Sequence, residues 1–525
     1  MTKAKLVILA SIFWVLFGNF AFFRNVTDVY ALSLGNVAFL ASLALVLASI
    51  VTLILNLVTF RYTTKPILIL LFLLSSFASY FMDSYNVIID PTMLQNIAQT
   101  NLGEASDLLS LKLLFYVLLL GVLPSVLVYK VTLKNAALKN EIASKLKVMA
   151  VALLVMAVMI FSLSKFYTSF FREHKPLRYY TNPIYYLYAV GDYINSSFNS
   201  GRVAVKAIGT DARVKAGDTH RELIILVVGE AARADRFSLN GYARETNPLL
   251  QKEDVINFSN VTSCGTSTAV SVPCMFSNLG RDGYSDKKAR STENLLDVLR
   301  HAGIHVLWRE NNSDAKGVAS NVQYEDFKSA KSNPVCDIEC RDEGMLSGLQ
   351  DYIAKQKTGD IFIVLHQMGN HGPAYYKRYP AAFERFKPVC KSNQLENCSR
   401  EEISNAYDNA ILYTDYFLSK VIALLKRNTQ DFETGMIYMS DHGESLGENN
   451  LYLHGLPYMM APDTQKHIGA VMWFEADFKL DQKALRIKSA KPYSHDNLFH
   501  TVLGLFEVES LVYDKKKDIG HGDSH

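Results

Sequence analysis

Long apolar runs dominate the first ~165 residues, and the chain then turns polar and mixed. The runs are roughly Leu6–Phe23, Val37–Phe60, Ile67–Phe81, Leu113–Tyr129 and Val148–Leu163. A helix needs ~20 apolar residues to cross a bilayer, and Met82 to Tyr85 can extend the short third run. Five such runs in succession, none containing an acidic or basic residue, predict five transmembrane helices rather than buried core helices.

Lys and Arg distribution sets the orientation. Lys3 and Lys5 precede the first run, Arg61 and Lys65 separate the second and third, and Lys130, Lys134, Lys139, Lys145 and Lys147 separate the fourth and fifth. The loop from Asp83 to Leu111 carries Asp83, Asp90, Glu104 and Asp107 and no Lys or Arg. The N-terminus is therefore expected in the cytoplasm and the second half of the chain on the far side. No small-residue cleavage site follows the first run, so it is expected to stay as a span.

From Lys165 to Tyr188, aromatic and basic residues mix with few acids, which suits a segment at headgroup level or a tyrosine-rich linker. Asn195 to Asp218 reads as a flexible connector. Beyond Glu222 the pattern alternates. Leu223–Val228, His305–Trp308, Ile361–Leu365, Met436–Met439 and Ala470–Phe474 are short, nearly continuous apolar runs, which predict buried parallel strands. Helices are predicted between them, for example Ser291–His301 and Ser404–Leu425. The fold class is therefore a membrane domain of five transmembrane helices followed by an α/β sandwich. The expected division is a transmembrane domain over 1–164, a surface segment over 165–218 and a catalytic domain over 219–525.

Composition adds two constraints. A net charge of +3 on 525 residues, without basic tracts interleaved with aromatics, argues against a nucleic-acid partner. All six cysteines (Cys264, Cys274, Cys336, Cys340, Cys390, Cys398) lie in the second half as three close pairs. Local disulfides are the economical reading, and a cysteine-rich zinc site is the alternative, disfavoured because paired C-x-x-C knuckles are missing. Disulfides imply an oxidising compartment, which agrees with the orientation from the lysines.

The candidate chemistry clusters after the predicted strands, where α/β sheets place their sites. Gly229-Glu230 follows the first strand, Arg309 to Lys316 the second, His366 and His371 the third, and Ser440-Asp441-His442-Gly443-Glu444 the fourth, with His454 twelve residues beyond His442. Cys264 and Cys274 bracket a loop with Thr266, Ser267, Thr268 and Ser271. A hydroxyl becomes a good nucleophile only when something removes or stabilises its proton, and the Asp-His pair is chemistry that zinc prefers. Each residue has a plainer reading as well. Glu230 would serve as a helix N-terminal acid, Asp441-His442 as an ordinary loop pair, one of His366 and His371 as structural, and Lys316 as a solvated charge.

These strings closely resemble the lipid A phosphoethanolamine transferases, a family that includes the mobile colistin-resistance enzymes and belongs to the alkaline-phosphatase-like superfamily. The resemblance extends over essentially the whole chain. It implies an alkaline-phosphatase/sulfatase-like catalytic domain and zinc held by Glu230, Thr268, Asp441 and His442, with a second zinc possible. Thr268 would be the nucleophile. His371 and His454 would contact substrate phosphate or the second zinc, Ser313 and Lys316 the donor phosphate, and Asn96, Thr100 and Glu104 the ethanolamine head.

The implied reaction takes phosphoethanolamine from phosphatidylethanolamine to Thr268, releasing diacylglycerol, and passes it to a lipid A phosphate. It implies polymyxin resistance, a Gram-negative inner-membrane location with a periplasmic catalytic domain, and a monomer. A sulfatase is a weaker match, because Ser271-Val272-Pro273 is followed by Cys274-Met275 where that family carries Arg. A lipoteichoic-acid-type polymerase differs in lacking the cysteine-clamped loop. A catalytically dead zinc-binding scaffold would be expected to lose one of the four ligands, and all four are present.

Overall fold

The computed structural model describes residues 1–100, 105, 107–134, 137–172, 174–198, 205–215 and 220–521. It divides into two compact units. One is Met1–Leu94 with Leu109–Asn195, and the other is Gln95–Leu108 with Ser196–His525.

The first unit is helical. Among the described residues, Val37–Val58, Thr64–Tyr85, Leu111–Lys130 and Lys139–Ser162 are each long and apolar enough to cross a membrane, and Lys3–Phe17 with Phe20–Val29, bent by 55° at a short break, make a fifth if the pair is counted as one span. The first expected span, Leu6–Phe23, thus runs across a break. Gly18 caps the first piece, and the Asn19 amide donates to the carbonyls of Trp14 and Asn182. A side chain that satisfies freed backbone carbonyls lets a helix break without an unpaired polar group.

The aromatic stretch after Lys165 is largely helical, over Ser164–Arg172, Lys175–Tyr180 and Ile184–Phe198. Part of it packs inside this unit. Phe166 stacks on Phe39, and the Tyr167 hydroxyl bonds that of Ser42 at 2.9 Å.

The second unit is built on a seven-stranded sheet. Its strands are β1 (Glu222–Gly229), β2 (Ile256–Phe258), β3 (His305–Glu310), β4 (Gln323–Asp326), β5 (Ile361–His366), β6 (Glu433–Ser440) and β7 (Ala470–Phe474). They lie in the order β2-β7-β6-β1-β5-β3-β4. β1 is parallel to both β5 and β6, and β3 to β4 and β5. β7 departs from expectation, since it runs antiparallel to β6 and β2. A strand buried on both faces shows the same apolar run in either direction, so the pattern predicted the strand and not its sense.

Every residue of β1 and β6 is buried. Two hydrophobic clusters cover the two faces of the sheet. One is built around Ile224, Leu226, Phe276 and Phe499, and the other around Leu223, Ile225, Tyr407 and Leu418. The long helix Arg400–Lys426 begins four residues before the predicted Ser404. The side chains of Ser399 and Glu402 close a capping box there, which satisfies two otherwise orphaned backbone donors.

The described part of the expected connector belongs to the catalytic fold. Ile208 and Ala212 join the core, and Arg213–Val214 pairs with Val508–Glu509. The cysteines pair locally as Cys264–Cys274, Cys336–Cys340 and Cys390–Cys398.

Candidate active site

Sheet register brings the site together. Gly229 of β1 sits opposite Ser440 of β6, Val228 of β1 opposite His366 of β5, and His366 opposite Glu310 of β3. The residues that follow, Glu230 and Asp441-His442, therefore leave adjacent parallel strands at the same level. Gly229 must be small, because a Cβ there would lie 2.5 Å from the Tyr438 hydroxyl.

Thr268 opens helix α1 (Thr268–Met275), with Ser267 as the extended residue before it. The Thr268 hydroxyl donates to Glu230 Oε2 at 3.0 Å and lies 3.4 Å from His442 Nε2. That nitrogen is 3.2 Å from Glu230 Oε1 and 3.4 Å from Asp441 Oδ2. The Nδ1 of His442 faces the Gly443 carbonyl at 2.8 Å, which leaves Nε2 as the atom turned towards the carboxylates.

Glu230, Asp441 and His442 are fully buried. Among the described residues, Glu230 Oε1 and Asp441 Oδ2 are enclosed and accept no well-formed hydrogen bond, and His442 Nε2 meets them at 3.2 and 3.4 Å. Two buried carboxylates at this spacing demand a positive partner. Burial alone would lower His442, yet the carboxylates of Asp441 and Glu230 raise it to about 10. Burial and the charge of Glu230 push Asp441 up to about 6. Burial would raise Glu230 as well, but His442 beside it holds it well below the usual carboxylate range. Two anionic oxygens, an imidazole nitrogen and a hydroxyl form a donor set that suits zinc.

His454 extends this cluster. Glu230, His442 and His454 each offer a ligand atom within 4.8 Å of one another. The His454 ring lies 4.2 Å from that of His442 and 5.6 Å from that of His371, and Glu444 orients its Nδ1 at 3.2 Å. His371 presents a buried Nδ1 that has no hydrogen-bond partner among the described residues. Burial lowers its pKa to about 3, although the charge of Glu230 opposes this.

His366 is a different kind of residue. It is fully buried, and its Nδ1 bonds Glu310 Oε2 at 2.9 Å behind the site.

Ser313 is buried, and its backbone N–H donates to Asn312 Oδ1 at 2.6 Å. Lys316 adopts φ +49°. Its side chain is only 4 % exposed, with Nζ 3.5 Å from Asp314, so it is not a solvated charge. It lines a cavity beside Pro273 and Ser277 of the nucleophile-loop region. Asn96 and Thr100 lie in the inter-span segment, where the Thr100 hydroxyl donates to the Asn96 carbonyl at 2.7 Å. Glu104 lies outside the described residues.

The nucleophile loop is held from several sides. Thr266 donates to the Leu456 carbonyl at 2.6 Å, and the Ser271 hydroxyl accepts from Gly265 N–H at 3.0 Å. Cys264 N–H donates to His495 Nδ1 at 3.0 Å, and His495 Nε2 donates to the Ser440 carbonyl at 2.9 Å. His495 thus ties the clamped loop to the strand end that carries Asp441.

Sequence reasoning missed His495, a single histidine in an otherwise unremarkable C-terminal stretch. It placed Asn312 among the polar residues after the second strand but gave it no role, although its amide donates to Glu230 Oε2 at 2.8 Å and to the Gln367 carbonyl at 2.8 Å. Its place two residues past β3 was the available signal.

Comparison with known proteins agrees with this architecture. The family described as phosphoethanolamine transferase EptA/EptB matches residues 47–198, and the sulfatase family matches residues 222–508. The chain is 43% identical to phosphatidylethanolamine transferase Mcr-2 of Escherichia coli, covering 95% of this chain and 94% of that one. It is 42% identical to Mcr-1 of Escherichia coli, covering 98% and 96%. The solved structure of integral membrane lipooligosaccharide phosphoethanolamine transferase A (EptA) from Neisseria meningitidis matches with a TM-score of 0.95 at 35% identity, over 98% of each chain.

Proposed function

Since this chain belongs to the lipid A phosphoethanolamine transferase family and is a phosphoethanolamine transferase of the Gram-negative inner membrane, with its soluble domain in the periplasm, we propose that it works by double displacement through Thr268. The donor is phosphatidylethanolamine and the acceptor a lipid A phosphate. The observation that carries this reading is the Thr268 hydroxyl at 3.0 Å from Glu230 and 3.4 Å from His442, beside two buried carboxylate oxygens that converge on His442 Nε2.

Glu230, Thr268, Asp441 and His442 would hold zinc, with His454 adjoining. When bound, zinc supplies Lewis-acid stabilisation of the alkoxide and of phosphoryl oxygens.

The chain's own residues do the rest. Thr268 Oγ1 gives up its hydroxyl proton by way of Glu230 Oε2, to which it donates, and forms a bond to the donor phosphorus as the bond to the diacylglycerol oxygen breaks, and that oxygen takes up a proton. His454 would supply it, since its ring borders that of His442 and Glu444 orients its Nδ1, while His371 would contact the substrate phosphate as a neutral imidazole. In the second displacement a lipid A phosphate oxygen attacks the same phosphorus, and Thr268 leaves and regains its proton. Lys316 would face the negative charge spread over the transferring phosphoryl oxygens. Asn96, Thr100 and Glu104 would receive the ethanolamine head, with the Glu104 carboxylate matching its ammonium. Loop immobilisation by Cys264–Cys274, Thr266 and His495 keeps the hydroxyl in place, so little ordering remains for the reaction step.

Mass spectrometry of lipid A from cells expressing the intact protein or Thr268→Ala tests this reading. The intact protein is expected to add phosphoethanolamine and Thr268→Ala none. Modified lipid A from the Thr268→Ala cells would overturn it. Added ammonium reduces the surface charge that concentrates a polycation, by an effect of roughly 1 kcal/mol per basic residue near an anionic surface. Polymyxin tolerance is therefore expected to follow the modification.

A further inference from the structure

The segment Gln95–Leu108 lies between two spans in sequence, yet it clusters with the catalytic unit. Both of its ends are tied there. Gln95 Nε2 donates to Asp286 Oδ1 at 3.2 Å, on the short helix Asp286–Arg290. At the other end Asp107 pairs with Lys377 and lies 3.1 Å from Arg378 Nη2. The Asp107 carbonyl also accepts from Asn393.

Arg378 is the hub. Its side chain is 2 % exposed and that of Asp107 8 %. Its Nη1 pairs with Glu339, inside the Cys336–Cys340 loop, and its Nε donates to the His371 carbonyl at 2.6 Å. One guanidinium therefore joins the inter-span segment to the backbone of a site histidine.

The four charges Asp107, Glu339, Lys377 and Arg378 balance to zero. Three of them belong to the catalytic fold, and only Asp107 comes from the inter-span segment. A buried pair that loses one member leaves the other uncompensated, so such a contact holds firmly in one geometry.

We propose that Asp107 is a positioning residue for the donor lipid. It latches the segment bearing Asn96 and Thr100 to the catalytic unit and, through Arg378, fixes the backbone at His371. The proposal rests on the functional reading above, in which that segment receives the ethanolamine head. Asp107 itself touches no reacting atom.

The test uses the full-length protein in detergent micelles with phosphatidylethanolamine as donor, comparing Asp107→Asn and Asp107→Glu with the parent. Asp107→Asn keeps the shape and removes the charge. It is expected to raise the donor KM about tenfold, the scale of one lost charge-assisted hydrogen bond, with kcat within about twofold and zinc content unchanged. Asp107→Glu is expected to recover most of the lost affinity. An unchanged KM in Asp107→Asn would overturn the latch. So would loss of kcat together with zinc, or an Asp107→Glu form no better than Asp107→Asn. Thr268→Ala serves as the control for the underlying reading. Transfer by that variant would break the catalytic assignment, whereas an inert Thr268→Ala beside an unperturbed Asp107→Asn would break only the latch.

Discussion

Two sets of buried polar groups, one in each unit, differ in kind. In the helical unit, Ser11 donates to the Val7 carbonyl, Ser75 bonds the Tyr186 hydroxyl, and the Asn182 amide reaches the carbonyls of Gly18 and Ser75. These side chains are neutral, and the donor or hydroxyl named on each has a partner. In the catalytic unit, Glu230, Asp441 and His442 are fully buried at the ends of two adjacent strands, and two carboxylate oxygens are met, among the described residues, by one imidazole nitrogen at 3.2 and 3.4 Å. A satisfied neutral group specifies packing, whereas an unsatisfied buried charge is costly unless something else meets it. The contrast separates residues that hold the molecule together from residues kept for chemistry.

That contrast can be broken by substitution. Glu230→Ala and His442→Ala are expected to lose bound zinc and to lower transfer by on the order of 10³-fold or more, because residues acting as one unit fail together. Elemental analysis and a transfer assay check this, and full zinc with unchanged rates would place the site elsewhere.

Chelation should act on the catalytic unit alone. A ligand present at ~100 times its Kd stabilises the folded state by about 2.7 kcal/mol. Metal removal is therefore expected to lower the melting midpoint of the soluble domain by several degrees and to abolish transfer. Readdition of zinc is expected to restore both, as read by calorimetry and assay.

The disulfides sharpen the contrast within the catalytic unit. Each closes a short loop, so its loss is expected to cost about 2–3 kcal/mol by chain entropy. Replacing Cys264 and Cys274 with Ala together should cost far more activity than the equivalent change at Cys390 and Cys398 for a similar loss of stability. Paired denaturation and rate measurements decide this, and equal activity losses would contradict it.

The smallest effect is expected in the helical unit. Ser75→Ala removes one neutral hydrogen bond, an interaction that averages about 0.6 kcal/mol inside membranes. Transfer should stay at the parental rate. A large loss there would show that buried polar groups in the helical unit also serve chemistry.

The sequence carries whatever depends on neighbours along the chain. Glu230 and Asp441-His442 are legible because each follows an apolar run directly, and parallel register then sets them side by side. Cys264 and Cys274 flank the nucleophile loop within ten residues. The direction of β7 was hidden, since burial on both faces erases alternation. The break at Gly18–Asn19 was hidden too, because Asn182 completes it from 163 residues away. His495 reaches Cys264 across 231 residues, and Arg378 reaches Asp107 across 271. Contacts of that range leave no local pattern, so the residues that position the site are less visible than the residues that form it.

The central claim is that the Thr268 hydroxyl carries the group between donor and acceptor. Purified protein incubated with phosphatidylethanolamine and no lipid A, then digested and analysed by mass spectrometry, tests it directly. Phosphoethanolamine on Thr268 in the Cys264–Cys274 peptide, discharged when lipid A is added, is the expected result. An adduct on Thr266 or Ser267, or transfer to lipid A without any covalent adduct, would contradict it.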